Sequence, residues 1–229
     1  MRASAENMRQ PGLTSGFEFT LSGTELCALG AGALWWAKQK TLVVSDLHLG
    51  KSERLSRRNG LSLPPYETRD TLDRLHALIT DLRPRCVICL GDTFDDDLAA
   101  RNLPATDKSC LQEMMHGLRW IWIQGNHDPA PPFVGGEAMA VFHAPPLTFR
   151  HIALPEAIGE VSGHYHPKAS LRGQYRPAFL LDRNRLILPA FGTYTGGLRC
   201  TDPVLATLME QDALAILTGA TPLRRPMHR

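Results

Sequence analysis

The sequence predicts an α/β fold, for which two packed sheets flanked by helices would account. Three observations point there. Apolar, strand-like runs alternate with loops and amphipathic stretches through the front half, and the back half is mostly strand-like. Clusters of Asp, Asn and His follow the ends of those runs, where open α/β sheets place their sites.

The elements follow in chain order. Residues 1–14 are polar and contain Gly and Pro, which predicts a loose leader ahead of a single domain over 15–220. Phe17 to Leu21 alternates as a strand does, and Leu26–Leu29 and Leu34–Ala37 are further short strands. Thr41 to Ser45 is a buried strand running into Asp46. A basic loop follows, then Leu72, Leu75, Ile79 and Leu82 recur at helical spacing until Pro84 stops the helix. Cys86 to Leu90 is the next buried strand. Thr106 is a candidate cap for a second helix carrying Leu111, Met114 and Met115, with Gly117 as terminator. Trp120–Ile123 is a third strand and Ala138–Phe142 a fourth, ending at His143; Glu160–Ser162 leads into Gly163. Phe179–Leu181 with Leu186–Leu188 reads as one hairpin, and Val204–Leu208 with Leu214–Leu217 as another. Residues 221–229 read as a basic tail with Arg224, Arg225 and Arg229.

Composition excludes several classes. With 229 residues and 43% hydrophobic content the chain can bury a real core. A net charge of +2 announces no nucleic-acid partner in bulk. Five cysteines, an odd number without framework spacing, argue against a disulfide-stapled secreted domain. Cys86 and Cys89 lie in one strand with side chains on opposite faces, which fits core packing better than a redox pair. No signal-peptide pattern and no membrane-length apolar stretch is present, so a cytoplasmic protein without a membrane partner is expected.

The chemistry sits in five short clusters: Asp46-Leu47-His48, Gly91-Asp92-Thr93-Phe94-Asp95, Gly125-Asn126-His127-Asp128, His143, and Gly163-His164-Tyr165-His166. Carboxylate, amide oxygen and imidazole together suit manganese, iron or zinc. Asp46, His48, Asp92, Asn126, His143, His164 and His166 are seven ligands, too many for one tetrahedral ion and suited to two ions sharing a carboxylate. Such a pair clamps a phosphoryl group and activates water against it. Asp46 and His48, two apart on an extended segment, would project to one side. Asp92 is the candidate bridge, and Asp95 a partner that fixes the tautomer of a ligand imidazole. Asn126 offers oxygen without charge. His127 is the candidate acid for the leaving alkoxide, with Asp128 behind it as orienting carboxylate. Asp96 and Asp97 read as a solvated loop. His151 lies mid-segment, so His143 is preferred. Trp120 and Trp122 read as core.

In this order the clusters resemble the calcineurin-like metallophosphoesterase superfamily, whose pattern is D-x-H, G-D-x-x-D, G-N-H-[DE], a lone H and G-H-x-H, over about residues 41–167. The resemblance implies a four-layer αββα sandwich. It also implies one ion on Asp46, His48, Asp92 and His166, and a second on Asp92, Asn126, His143 and His164. A bridging hydroxide would be the nucleophile, with His127 as acid. His143 departs from the pattern, being followed by Ala144-Pro145-Pro146 rather than glycine.

Flanking sequence narrows this. Ser45 to Lys51, the Gly60-to-Pro65 stretch, Gly163 to Pro167, and Leu188 to Leu198 are similar to the bacterial ligase-associated DNA damage response endonucleases. That branch implies a manganese-dependent phosphodiesterase nicking single-stranded DNA, encoded beside a helicase, an exonuclease and a DNA ligase. Lys51, Arg54, Arg57 and Arg58 would then track a phosphate backbone, with Tyr194 as a stacking contact. The same ligands also serve small-molecule and cyclic-nucleotide phosphodiesterases and phosphomonoesterases. A scaffold without catalysis is a third reading, against which the intact ligand set argues.

Overall fold

A computed structural model describes residues 12–60, 64, 66–128 and 134–227. β1 (Gly16–Leu21), β2 (Thr24–Leu29) and β3 (Leu34–Trp36) form an antiparallel meander, and β4 (Thr41–Val44) pairs with β3. Helices α1 (Lys51–Asn59) and α2 (Glu67–Leu82) then carry the chain to β5 (Cys86–Leu90), parallel to β4. After α3 (Asp97–Arg101) and α4 (Ala105–Met115), β6 (Arg119–Ile123) and β7 (Glu137–Met139) extend the parallel half. These seven strands lie in sequence order.

The second sheet takes β8 (Val141–Ala144), β9 (Leu147–Arg150), β10 (Glu160–Ser162), β12 (Gln174–Leu181), β13 (Arg185–Ile187), β14 (Leu214–Leu217) and β15 (Leu223–Pro226). Its order is β15-β14-β12-β13-β10-β9-β8, and β11 (Lys168–Leu171) adds to β12 alone. A short α5 (Pro203–Leu208) precedes β14.

Alternation along each strand builds the layers. On β5, Ile88 and Leu90 point inward to Phe149, Val161, Phe179 and Leu186 of the second sheet. Val87 and Cys89 point outward to Leu72, Leu75 and Leu78 of α2 and Leu111 of α4. Each such fully buried aliphatic side chain contributes about 1.5–3 kcal/mol. On the far side, Leu180, Ile187 and Ala215 meet Leu205 of α5 and Met209. The sandwich is thus helices, sheet, sheet, helix, as expected. Trp120 and Trp122 are buried in the outer cluster and Cys86 and Cys89 fall on opposite faces.

Several local expectations are corrected. The basic loop after the first cluster is α1; having one leucine, it offers no apolar stripe to read, and polar contacts hold it. Ser52 N donates to Glu67 Oε1 at 3.0 Å, and Arg57 pairs with Glu53 one turn earlier. Asp96 and Asp97 are not loop: the Asp96 side chain caps α3 by accepting from Ala99 N at 2.8 Å. Pro104, not Thr106, precedes α4 at its cap position. Val204–Leu208 is helix rather than strand, signalled by the Asp202 cap and Pro203 in the first turn. β14 instead lies between β12 and β15. Arg224 and Arg225 therefore belong to a sheet-edge strand, whereas Arg229 lies outside the described residues. Most of the leader, residues 1–11, also lies outside them. Leu13 packs against the outer core.

Candidate metal centre

β4, β5 and β6 run parallel in one sheet, β9 and β10 in the other, and the ends of all five deliver the metal-loving side chains. At the first two junctions the backbones zip together: His48 N donates to Asp92 O and Leu49 N to Thr93 O, both at 2.9 Å.

The turns are tight. Asp46 (φ 53), His48 (46), Asp92 (45), His164 (72) and His166 (47) all adopt the left-handed region. For a residue with a Cβ this costs about 1–2 kcal/mol, and such strain clusters where surroundings impose it for function. Asp46 and His48 thus share a side by curling rather than by lying two apart on a strand. Glycine permits the close approaches. A Cβ on Gly125 would stand 2.2 Å from Asp92 N, and one on Gly91 2.4 Å from His151 Nδ1.

Two groups of lone pairs converge. In the first, Asp46 Oδ1 lies 3.2 Å from His166 Nε2, which lies 3.4 Å from His48 Nε2. The other Asp46 oxygen is occupied by the Ser45 hydroxyl and by His164 N at 2.9 Å, while buried Oδ1 has no hydrogen-bond partner. In the second, His151 Nε2 faces Asn126 Oδ1 at 2.9 Å, His164 Nδ1 at 3.2 Å and Asp92 Oδ2 at 3.4 Å. Asp92 Oδ2 is also 4.0 Å from His48 Nε2, so this carboxylate stands between the groups. Its Oδ1 accepts from His127 N at 2.9 Å.

The tautomers are set from behind. His48 Nδ1–H donates to Asp95 at 2.7 Å and His151 Nδ1–H to the Leu90 carbonyl at 2.8 Å, which leaves each Nε2 lone pair for the centre. Facing lone pairs repel unless a cation or proton lies among them. Burial pushes the Asp46 and Asp92 carboxyls up, yet neighbouring imidazoles outweigh it and hold both below the usual carboxylate range, His166 and His151 for Asp46, His151 and His48 for Asp92. Burial and the charge of His151 lower His164. For His151, burial is outweighed by Asp92 and Asp46, and the imidazole is raised. A hard or borderline cation fits both groups.

Of the expected ligands the fold gathers Asp46, His48, Asp92, Asn126, His164 and His166. His143 is not among them. It is exposed on β8, paired with Thr148 across the β8–β9 ladder and 3.2 Å from its hydroxyl. The chain changes sheet between β7 and β8, so His143 ends no parallel strand. β9, unread in the sequence, delivers His151, and His151 takes the place expected of His143.

Asp95 accepts from His48 as expected, and its other oxygen is held by Arg54 Nε. Arg54 is therefore spent on this relay. The other arginines of α1 are also engaged: Arg57 meets Asp96 at 2.8 Å and Glu53 at 3.1 Å, and Arg58 meets Asp96 at 3.4 Å. Lys51 makes no ion pair among the described residues. The expectation for Asp128 is corrected too. Its Oδ2 accepts from Thr93 N at 2.8 Å and Phe94 N at 3.1 Å, and burial pushes its carboxyl up to about 7. His127 is oriented instead by the Asp95 carbonyl, 3.0 Å from Nδ1. Tyr194, 37% exposed, stands 5.8 Å ring to ring from Tyr66, an exposed aromatic the sequence reading passed over.

Arg54→Gln is expected to weaken divalent-metal binding about 10–100-fold, the range for losing a group that orients a ligand. Titration calorimetry reads this directly, and unchanged affinity would remove Arg54 from the relay.

The model of the calcineurin-like phosphoesterase family matches residues 39–195. The chain belongs to that family. The phosphoesterase fold also appears in the crystal structure of Pseudomonas putida nuclease MPE, which superposes with a TM-score of 0.74 at 27% identity, covering 91% of this chain and 100% of that one. A search of the curated proteins finds no match. As a member of this phosphoesterase family the chain is a hydrolase of phosphoester bonds that uses divalent metal ions. No helix among the described residues is long and apolar enough to cross a membrane.

Proposed function

We propose that this chain is a binuclear, manganese-dependent phosphodiesterase that cuts single-stranded DNA. One observation carries the reading: Asp92 stands between two groups of facing lone pairs, with neutral Asn126 on one side. Asp46, His48, Asp92 and His166 would hold one ion, and Asp92, Asn126, His151 and His164 the other. Two such ions supply an activated water and polarise the phosphoryl oxygens.

The chain's own groups do the rest. Asn126 donates oxygen without adding charge where an anion must approach. His127 Nδ1–H is directed to the Asp95 carbonyl, which turns Nε2 to the centre; in the imidazolium form, with both nitrogens protonated, Nε2–H would give its proton to the leaving oxygen. Its ring stands edge-on to His48 at 5.3 Å between centroids, close enough to meet a phosphate held at the centre. Likeness to a nuclease favours nucleic acid as substrate. Exposed Tyr194, and Tyr66 at the start of α2, offer faces on which unpaired bases can stack. A role in DNA repair in the cytoplasm, working with a DNA ligase, a helicase and an exonuclease, extends the reading.

Metal-stripped protein incubated with circular single-stranded DNA, with manganese, magnesium, zinc and cobalt restored one at a time, tests it. Linear products with manganese are expected. Hydrolysis of nucleotides or a chromogenic diester while the circle stays intact would favour a small-molecule phosphodiesterase.

A further inference from the structure

The α1 arginines are largely offset by Glu53, Asp95 and Asp96, so a polyanion needs other cations. Between residues 161 and 201 the sequence holds six Lys and Arg and a single acid, Asp182. Arg183 and Arg185 of that set pair with Glu210 and Glu160. Lys168, Arg172, Arg176 and Arg199 make no ion pair among the described residues.

Strand alternation sorts these four. Ala169, Leu171, Leu198 and Cys200 pack into the core beside α5. Lys168 and Ser170 therefore face outward, and so does Tyr175, which pairs with Ser170 across β11 and β12. Arg199 is bridged alongside Lys168 and lays its guanidinium 4.5 Å over the Tyr175 ring. Arg176 pairs with Ala169 and belongs to the opposite face. Arg172 sits in the turn at the tip.

This face begins at the metal centre. Lys168 follows His166 by two residues, roughly 7 Å of extended chain. Its Nζ donates to the Thr195 carbonyl at 3.3 Å, next to Tyr194. A line thus runs from exposed Tyr194 past half-buried Lys168 and exposed Arg199 to Tyr175, 43% exposed, with two unneutralised cations between two aromatic rings. That is the chemistry that holds a single strand: cations for phosphates and rings for bases.

We propose that the outer face of the β11–β12 hairpin, through Lys168, Arg199 and Tyr175, is the track on which single-stranded DNA is held next to the metal centre; the proposal rests on the nuclease reading above. Fluorescence anisotropy of a labelled oligothymidylate with the full chain, in chelator so that nothing is cut, tests it. Lys168→Gln with Arg199→Gln is expected to raise Kd about tenfold and to flatten the log–log salt slope by about 1.4, at roughly 0.7 per lost phosphate contact. Tyr175→Ala is expected to raise Kd about tenfold with the slope unchanged, because stacking rather than charge is lost. Wild-type binding matched within twofold by all these variants, with unchanged circular dichroism, would overturn the track alone. Wild type that binds no oligonucleotide, or prefers phosphatidylserine vesicles, would overturn the track; failure to cut the circle as well would sink the nuclease reading.

Discussion

His151→Ala is expected to abolish metal-dependent diester hydrolysis, by at least ~100-fold, whereas His143→Ala is expected to leave it within about twofold of wild type. Removing a group that merely orients a ligand costs 10–100-fold, so losing the ligand itself costs no less. His151 Nε2 is the atom nearest at once to Asn126, His164 and Asp92. Its loss leaves three groups around an incomplete site. His143 lies at the surface, its Nδ1 3.2 Å from the Thr148 hydroxyl. Calorimetry separates ligand loss from misfolding: His151→Ala should bind one manganese where wild type binds two. Equal activity in both variants, or loss in His143→Ala alone, would return the ligand role to His143.

Replacing His127 by alanine should lower cleavage of single-stranded DNA by about 10²–10⁴, the usual contribution of a positioned acid. The loss should depend on the leaving group. An alkoxide must be protonated as the P–O bond breaks, whereas a nitrophenolate departs unaided, so a chromogenic diester should lose far less. Metal stoichiometry should stay at two, since His127 holds Asp92 only through its backbone N–H, which alanine retains. A uniform loss on both substrates would remove the acid role from Nε2.

The fold class was legible because β4, β5 and β6 are short apolar runs ending in polar clusters, and α2 carries its leucines at helical spacing. Metal-loving side chains at strand ends pointed to the site for the same reason. The misses have one physical origin: contacts remote in sequence. β9 (Leu147–Arg150) alternates half-buried residues and is defined only by pairing with β8 and β10, so His151 looked mid-segment. α1 is a helix because Glu67 and Asp96 hold it, partners that periodicity does not report. Asp128 adjoins His127 in sequence, yet it turns to the amides of Thr93 and Phe94, 35 and 34 residues earlier. The acid-poor stretch over 161–201, with Asp182 its single acid, was visible in composition, but only the ion pairs of α1 made it matter.

Asp46, His48, Asp92 and Asn126 hang from one sheet, and His151, His164 and His166 from the other. Ions held among them would rivet the two halves of the sandwich along a single rim. Starving the protein of metal should therefore soften that seam as well as silence the chemistry, and amide exchange should quicken first at residues 45–48 and 163–166. In a cell short of divalent metal, the same loosening would expose the chain to proteolysis, tying its abundance to the supply of such ions.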